Sequence, residues 1–193
     1  MTGFDLYRAD TTGFWKKFTP SYLIKLFTYK YIKPEVKAYF GITKREQCPT
    51  HSMCRGKEKG ENKLLESNWN VDYGNPYPES NQVMHFEFVL PSFTEERKET
   101  IFAEFVAKEK GKQYGLIEWL NYPIRNIFGT VKHSFFTILK VCSELVANYC
   151  SLEWVKDMPN VWAELQKVDY NVTAPSDLLN VAYIGIKSGE LKQ

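Results

Sequence analysis

The sequence predicts a single α+β domain. Three observations carry that reading: turn-bounded extended segments between residues 48 and 90, two strongly periodic helical segments near 94–110 and 142–149, and a length that suits one core. The chain has 193 residues, 44% hydrophobic and 16% aromatic, which supplies one sizeable core and leaves little for a second.

Taken in order, Thr19-Pro20 ahead of Tyr22, Leu23, Ile24 and Phe27 provides an N-cap, a proline at the first helical position and an apolar stripe, so a helix begins there. Pro34 to Phe40, closed by Gly41, reads as a second helix. Cys48 to Arg55 looks extended, Gly56 to Asn62 is charged and glycine-bearing, and Lys63 to Trp69 looks extended again. Together they predict a hairpin. Val83 to Leu90 is a third strand candidate.

The clearest helix has Thr94 as its cap and Glu95 and Glu96 in its first turn. Ile101, Phe102, Phe105 and Val106 form its stripe, and Lys108 and Lys110 precede Gly111. An aromatic-rich helical stretch runs from Leu116 towards Phe128, interrupted at Pro123, and the segment from Phe135 leads into Cys142. Leu145, Val146 and Tyr149 then share one face, by which this helix docks. The tail carries Ala174-Pro175-Ser176-Asp177 and a strand-like apolar run, Asn180 to Ile186.

Net charge is only +2 but unevenly spread: residues 1–60 hold 12 Lys/Arg against 5 Asp/Glu, and the rest 13 against 18. A wall polymer or an acidic lipid headgroup would suit the basic half, although an ordinary solvated face is the simpler account. No motif supports nucleic acid. The sequence lacks an apolar run of about 18 residues, and Met1 to Arg8 carries Asp5 and Arg8 where a signal peptide needs an apolar core, so the expected location is cytoplasmic. Four cysteines in a chain this long do not form a disulfide framework, so free thiols in a reducing compartment are expected.

Cys142 stands out because a thiol at the start of a helix feels the positive end of the dipole, which favours thiolate. Cysteine is equally a common core residue, so the assignment depends on a base. Three histidines are available, His51, His85 and His133. The hairpin sets His51 across from Glu66 or Ser67, where a carboxylate would hold the ring, and a one-residue slip would turn Glu66 to the other face. His85 has Glu87 two residues away on its own strand face. Cys48, His51 and Cys54 supply ligand types suited to zinc, but strand alternation puts His51 and Cys54 on opposite faces and no fourth ligand lies nearby.

The order of several motifs resembles a known family. Thr50-His51-Ser52-Met53-Cys54, Leu64-Leu65-Glu66-Ser67, the Gly-Lys-Gln-Tyr-Gly run at 111–115, the Val-Cys-Ser-Glu-Leu-Val run at 141–146 and the Ala-Pro-Ser-Asp-Leu run at 174–178 together resemble the YiiX-like, circularly permuted NlpC-type papain-like cysteine peptidases and amidases. The resemblance runs from about Phe4 to Lys187 and makes Asp5-Leu6-Tyr7-Arg8 the start of a first strand. It implies a papain-like fold, a small antiparallel sheet or barrel packed against a nucleophile-bearing helix.

Position by position, the resemblance makes Cys142 the nucleophile, His51 the general base and Glu66 the residue that orients the ring. Tyr114 and Ser143 become candidates for binding substrate or the oxyanion, and Glu144 is given no chemistry. The implied reaction is amide or peptide hydrolysis, including wall peptides, through a thioester and without metal or organic cofactor. Two alternatives remain: a lipid acyl hydrolase or acyltransferase of the same superfamily, and a non-catalytic binding or structural protein that keeps the fold. Residues 29–49 exceed the family pattern and would form a lid, a partner surface or a membrane-facing patch. Membrane contact through residues 14–40 is the less favoured option. Met53 and Cys54 stand where the family more often has small or β-branched residues.

Overall fold

The computed structural model describes residues 1–10, 19–67, 71–74, 82–113, 142–168 and 173–193. Tyr114, His133 and the segments expected at 116–128 and 135–141 lie outside the described residues.

Among the described residues the protein is α+β, with one sheet of six antiparallel strands: β1 (Gly3–Tyr7), β2 (His51–Glu58), β3 (Glu61–Ser67), β4 (Val71–Gly74), β5 (Val83–Phe88) and β6 (Leu191–Lys192). Their order is β4-β3-β2-β1-β5-β6, so the sheet is open and not closed into a barrel. β2, the strand that begins with His51, is interior, flanked by β3 and β1. Among the described residues six α-helices accompany the sheet: α1 (Pro20–Thr28), α2 (Pro34–Tyr39), α3 (Glu95–Glu109), α4 (Cys142–Cys150), α5 (Pro159–Leu165) and α6 (Pro175–Ser188).

The hairpin turn is tighter than the expected Gly56 to Asn62. β2 continues to Glu58 and only Lys59 and Gly60 turn the chain, with φ of 51° and 82°. Two successive positive φ values match the right-handed twist of the flanking strands, which is why a two-residue loop suffices. This turn sets the register, with Met53 opposite Glu66 and Cys54 opposite Leu65.

The predicted caps of α1 and α3 are present: Thr19 Oγ1 accepts from the Tyr22 N–H at 3.4 Å, and Thr94 Oγ1 from the Arg97 N–H at 3.2 Å. Ile101, Phe102 and Phe105 of α3 are buried as the stripe required. Two expectations are corrected. The run Asn180 to Ile186 is not a strand but the body of α6, where Pro175 opens the helix, Asp177 accepts from the Ala174 N–H at 2.9 Å, and Gly189, at φ 76°, ends it. A short apolar run does not reveal its own period, and the flanking caps carry the deciding signal. α4 does not dock by one face either; every residue from Cys142 to Ala147 is buried, as are Tyr149 and Cys150.

Residues 29–49 contribute side chains to the core. Ile32, Val36, Ile42 and Cys48 join the same buried cluster as Phe4, Phe86, Leu145 and Trp154. Asn180 of α6 fixes the segment, accepting from the Lys33 N–H and donating to the Tyr31 carbonyl.

α3 presses on the sheet at Gly56. A Cβ there would lie 2.1 Å from Cγ of the buried Phe102 ring. Gly56→Ala is therefore expected to lower stability by about 1–3 kcal/mol through overpacking. Urea unfolding with an unchanged slope measures it; an unchanged midpoint would mean that the ring has room to swing away.

Candidate active site

The site begins with how α4 lies along β2. Cys54 Sγ faces the Leu145 carbonyl at 3.7 Å, and the Tyr149 hydroxyl donates to the Arg55 carbonyl at 3.1 Å. Helix and strand therefore advance together, and the leading residue of α4, Cys142, meets the leading residues of β2, His51 and Ser52. A sulfur at the end of a strand is reachable both by the side chain of its first residue and by the backbone of its second.

His51 lies between two partners. Its charge favours the Cys142 thiolate at the start of α4, and its Nε2 is 3.1 Å from Oε2 of Glu66. The register makes His51 and Glu66 diagonal neighbours on one sheet face, because Met53 and not His51 stands opposite Glu66. The expected directly facing pair is thus a diagonal one, with the carboxylate still in hydrogen-bond reach. Ser67 belongs to the other face. The His51 and Glu66 side chains are 15% and 19% exposed, which limits solvent screening of the pair.

Burial alone would raise the Cys142 pKa, but the His51 charge and hydrogen bond outweigh it, aided by the Ser52 backbone N–H and hydroxyl, and hold this thiol below its usual range. For His51 burial acts downward, and the Cys142 charge and hydrogen bond, followed by those of Glu66, carry its pKa above the usual value. The two shifts describe one thiolate–imidazolium pair. Cys142 is alone among the four cysteines in this. Burial pushes Cys48 up to about 12 and raises Cys54 and Cys150 as well.

Cys142 itself is only 2% exposed. The Ser143 hydroxyl donates to the Thr173 carbonyl, tying α4 to the chain ahead of α6. Of Ser143, the backbone is what remains suited to an oxyanion. Glu144 is buried. Ser52 was missed in the sequence, where alternation sets it on the face opposite His51 and nothing marks it as a neighbour of the sulfur.

The other histidine of the sheet is held elsewhere. His85 Nδ1 is 2.9 Å from Asp5 Oδ1 and 2.8 Å from Arg55 Nη2, so its partner is Asp5 and not Glu87. Cys48 lies before β2, and Cys54 faces the Leu145 carbonyl on the side away from His51. Among the described residues no group of three or more His, Cys, Asp or Glu is placed to hold a metal ion. No helix among them is long and apolar enough to cross a membrane. The sequence matches no model of a known protein family and no characterised protein.

Proposed function

We propose that the protein is a papain-like thiol hydrolase that cleaves an amide or peptide bond, with Cys142 as nucleophile, His51 as acid and base, and Glu66 orienting the imidazole. The observation that carries this reading is that the one cysteine whose thiolate is favoured owes this to a histidine that is itself bonded to a carboxylate. Nucleophile, base and orienting group in one chain of hydrogen bonds is the arrangement that acyl transfer to sulfur needs.

The thiolate of Cys142 attacks the carbonyl carbon, and the electron pair moves onto oxygen. The His51 imidazolium gives its proton to the leaving amine as the C–N bond breaks, leaving a thioester and a neutral imidazole. Water, deprotonated by His51, then attacks the thioester and returns Cys142 to its thiolate and His51 to its charged form. Backbone N–H groups in the first turn of α4 are suited to the oxyanion, each well-placed donor contributing roughly 3 kcal/mol at sites of this kind. Glu66 keeps the ring aimed at the sulfur and stabilises its positive charge.

The amide reading is favoured over lipid acyl chemistry because residues 29–49 turn Ile32, Val36 and Ile42 inward. Among the described residues from 19 to 40, Leu26 and Tyr39 are the large exposed apolar side chains, and residues 14–18 of the stretch expected to contact a membrane lie outside the described residues. Intact-mass spectrometry with p-nitrophenyl esters and peptide anilides as acyl donors tests the proposal. A transient acyl adduct on Cys142, lost in water and absent in Cys142→Ala, is the expected outcome. An adduct on another residue, or none with any donor, would sink it.

A further inference from the structure

The residue after the proposed base carries an unexplained group. Ser52 is fully buried, and its Oγ has no hydrogen-bond partner of good geometry among the described residues. Ser67, on the neighbouring strand and the same sheet face, is also fully buried and has a hydroxyl in the same condition. A buried hydroxyl left unpaired costs stability, so a fold that keeps one has a use for it or houses something that pairs with it. The two serines differ in what lies beside them. Ser52 shares the face of Cys54, which α4 covers at the Leu145 carbonyl, so it stands beside the first turn of α4 that Cys142 leads, and its backbone and hydroxyl both favour the ionised form of that sulfur.

We propose that the Ser52 hydroxyl is a dedicated donor to the Cys142 thiolate: it turns its proton to the sulfur when the thiol ionises and, with the Ser52 N–H, holds the sulfur against His51. The inference rests on the Cys142–His51 reading above and adds a residue to it. A neutral thiol is a weak acceptor, whereas a thiolate is a strong one, so the hydroxyl is left unpaired while the sulfur is protonated and gains its partner when the sulfur ionises. Hydrogen bonds to a charged acceptor are the strong class, and one such bond corresponds to about one pH unit in the titration of the group it stabilises. The backbone N–H fixes the position of the sulfur, and the hydroxyl, which rotates, responds to its charge. Both come from one residue at the start of an interior strand, where pairing with Leu6 of β1 restrains the backbone.

The test is iodoacetamide alkylation of the full chain from pH 5 to 10, mapped to Cys142 by mass spectrometry, on wild type, Ser52→Ala, Ser52→Thr and Ser67→Ala. Ser52→Ala is expected to raise the alkylation midpoint by about one unit and to slow labelling about tenfold on the acid side of it. Measured below the alkylation midpoint, where the sulfur is protonated, its thermal midpoint should hold or rise, because there the mutation deletes an unpaired buried hydroxyl. Ser52→Thr keeps the donor and should keep the wild-type midpoint; Ser67→Ala, which removes an equally buried hydroxyl, should leave it unmoved. An unchanged midpoint in Ser52→Ala, or an equal shift in Ser67→Ala, overturns the assignment while leaving Cys142 and His51 in place. A wild type whose Cys142 alkylates no earlier than Cys48, Cys54 and Cys150 removes the site reading on which it rests.

Discussion

Replacing His51 with alanine is expected to move the alkylation of Cys142 from the acid side of an ordinary thiol titration to its alkaline side. The direction follows from the opposing influences on the sulfur. Burial raises its pKa, and the His51 charge and hydrogen bond outweigh that, so deleting the ring leaves burial in command with only the Ser52 groups against it. At pH 6.5 the labelling rate should fall on the order of a hundredfold, since each unit of midpoint shift removes about tenfold of the thiolate.

Acyl transfer should show the same loss with a second signature. In the wild type the rate climbs as pH passes the depressed thiol pKa and falls as pH passes the raised imidazolium pKa, because the leaving group then lacks its acid. In His51→Ala the alkaline fall disappears with the group that caused it. His85→Ala should retain the wild-type profile, because that ring is held by Asp5 and Arg55. Rate–pH profiles of the three proteins decide the matter, and a lost acid-side reactivity in His85→Ala with a normal His51→Ala would make His85 the base.

The sequence made the local elements legible where a cap and a period agreed. Thr94, the acidic first turn and the Ile101, Phe102, Phe105 stripe all pointed to one helix, and α3 is that helix. It failed where periodicity was short. Asn180 to Ile186 carries an apolar run that a strand or a buried helix would equally use, and only Pro175, Asp177 and Gly189 distinguish them. β4 and β6 have four and two residues, too few for a pattern to register. At the site, His51 and Glu66 were legible as a pair because both lie on one hairpin, whereas their diagonal relation depended on where the turn falls. Contacts between distant elements left no local trace. Ser52 beside Cys142, and Asp5 between Arg55 and His85, are products of the packing of α4 and of β1 on β2.

Asp5→Ala is expected to be among the most destabilising single changes in the described structure, at about 3–5 kcal/mol. Asp5 is 1% exposed in β1, directly opposite His85 of β5 and diagonal to Arg55 of β2. Arg55 Nε lies 3.2 and 3.1 Å from its two oxygens, and Nη2 also reaches Oδ2. Removing the carboxylate strands a guanidinium whose side chain is 9% exposed, with neither solvent nor counter-charge to replace what it lost. The cost belongs to the orphaned partner and not to the pair as such, since a buried pair repays much of its attraction in desolvation. The double variant Asp5→Leu with Arg55→Met should therefore recover most of the loss, provided the apolar side chains fill the space. Urea unfolding of the two single variants and the double gives the coupling directly. Additive single losses would mean that the pair is not a unit. A recovered double variant that still alkylates Cys142 at low pH would separate the charge cluster that joins β1, β2 and β5 from the thiolate site at the end of β2.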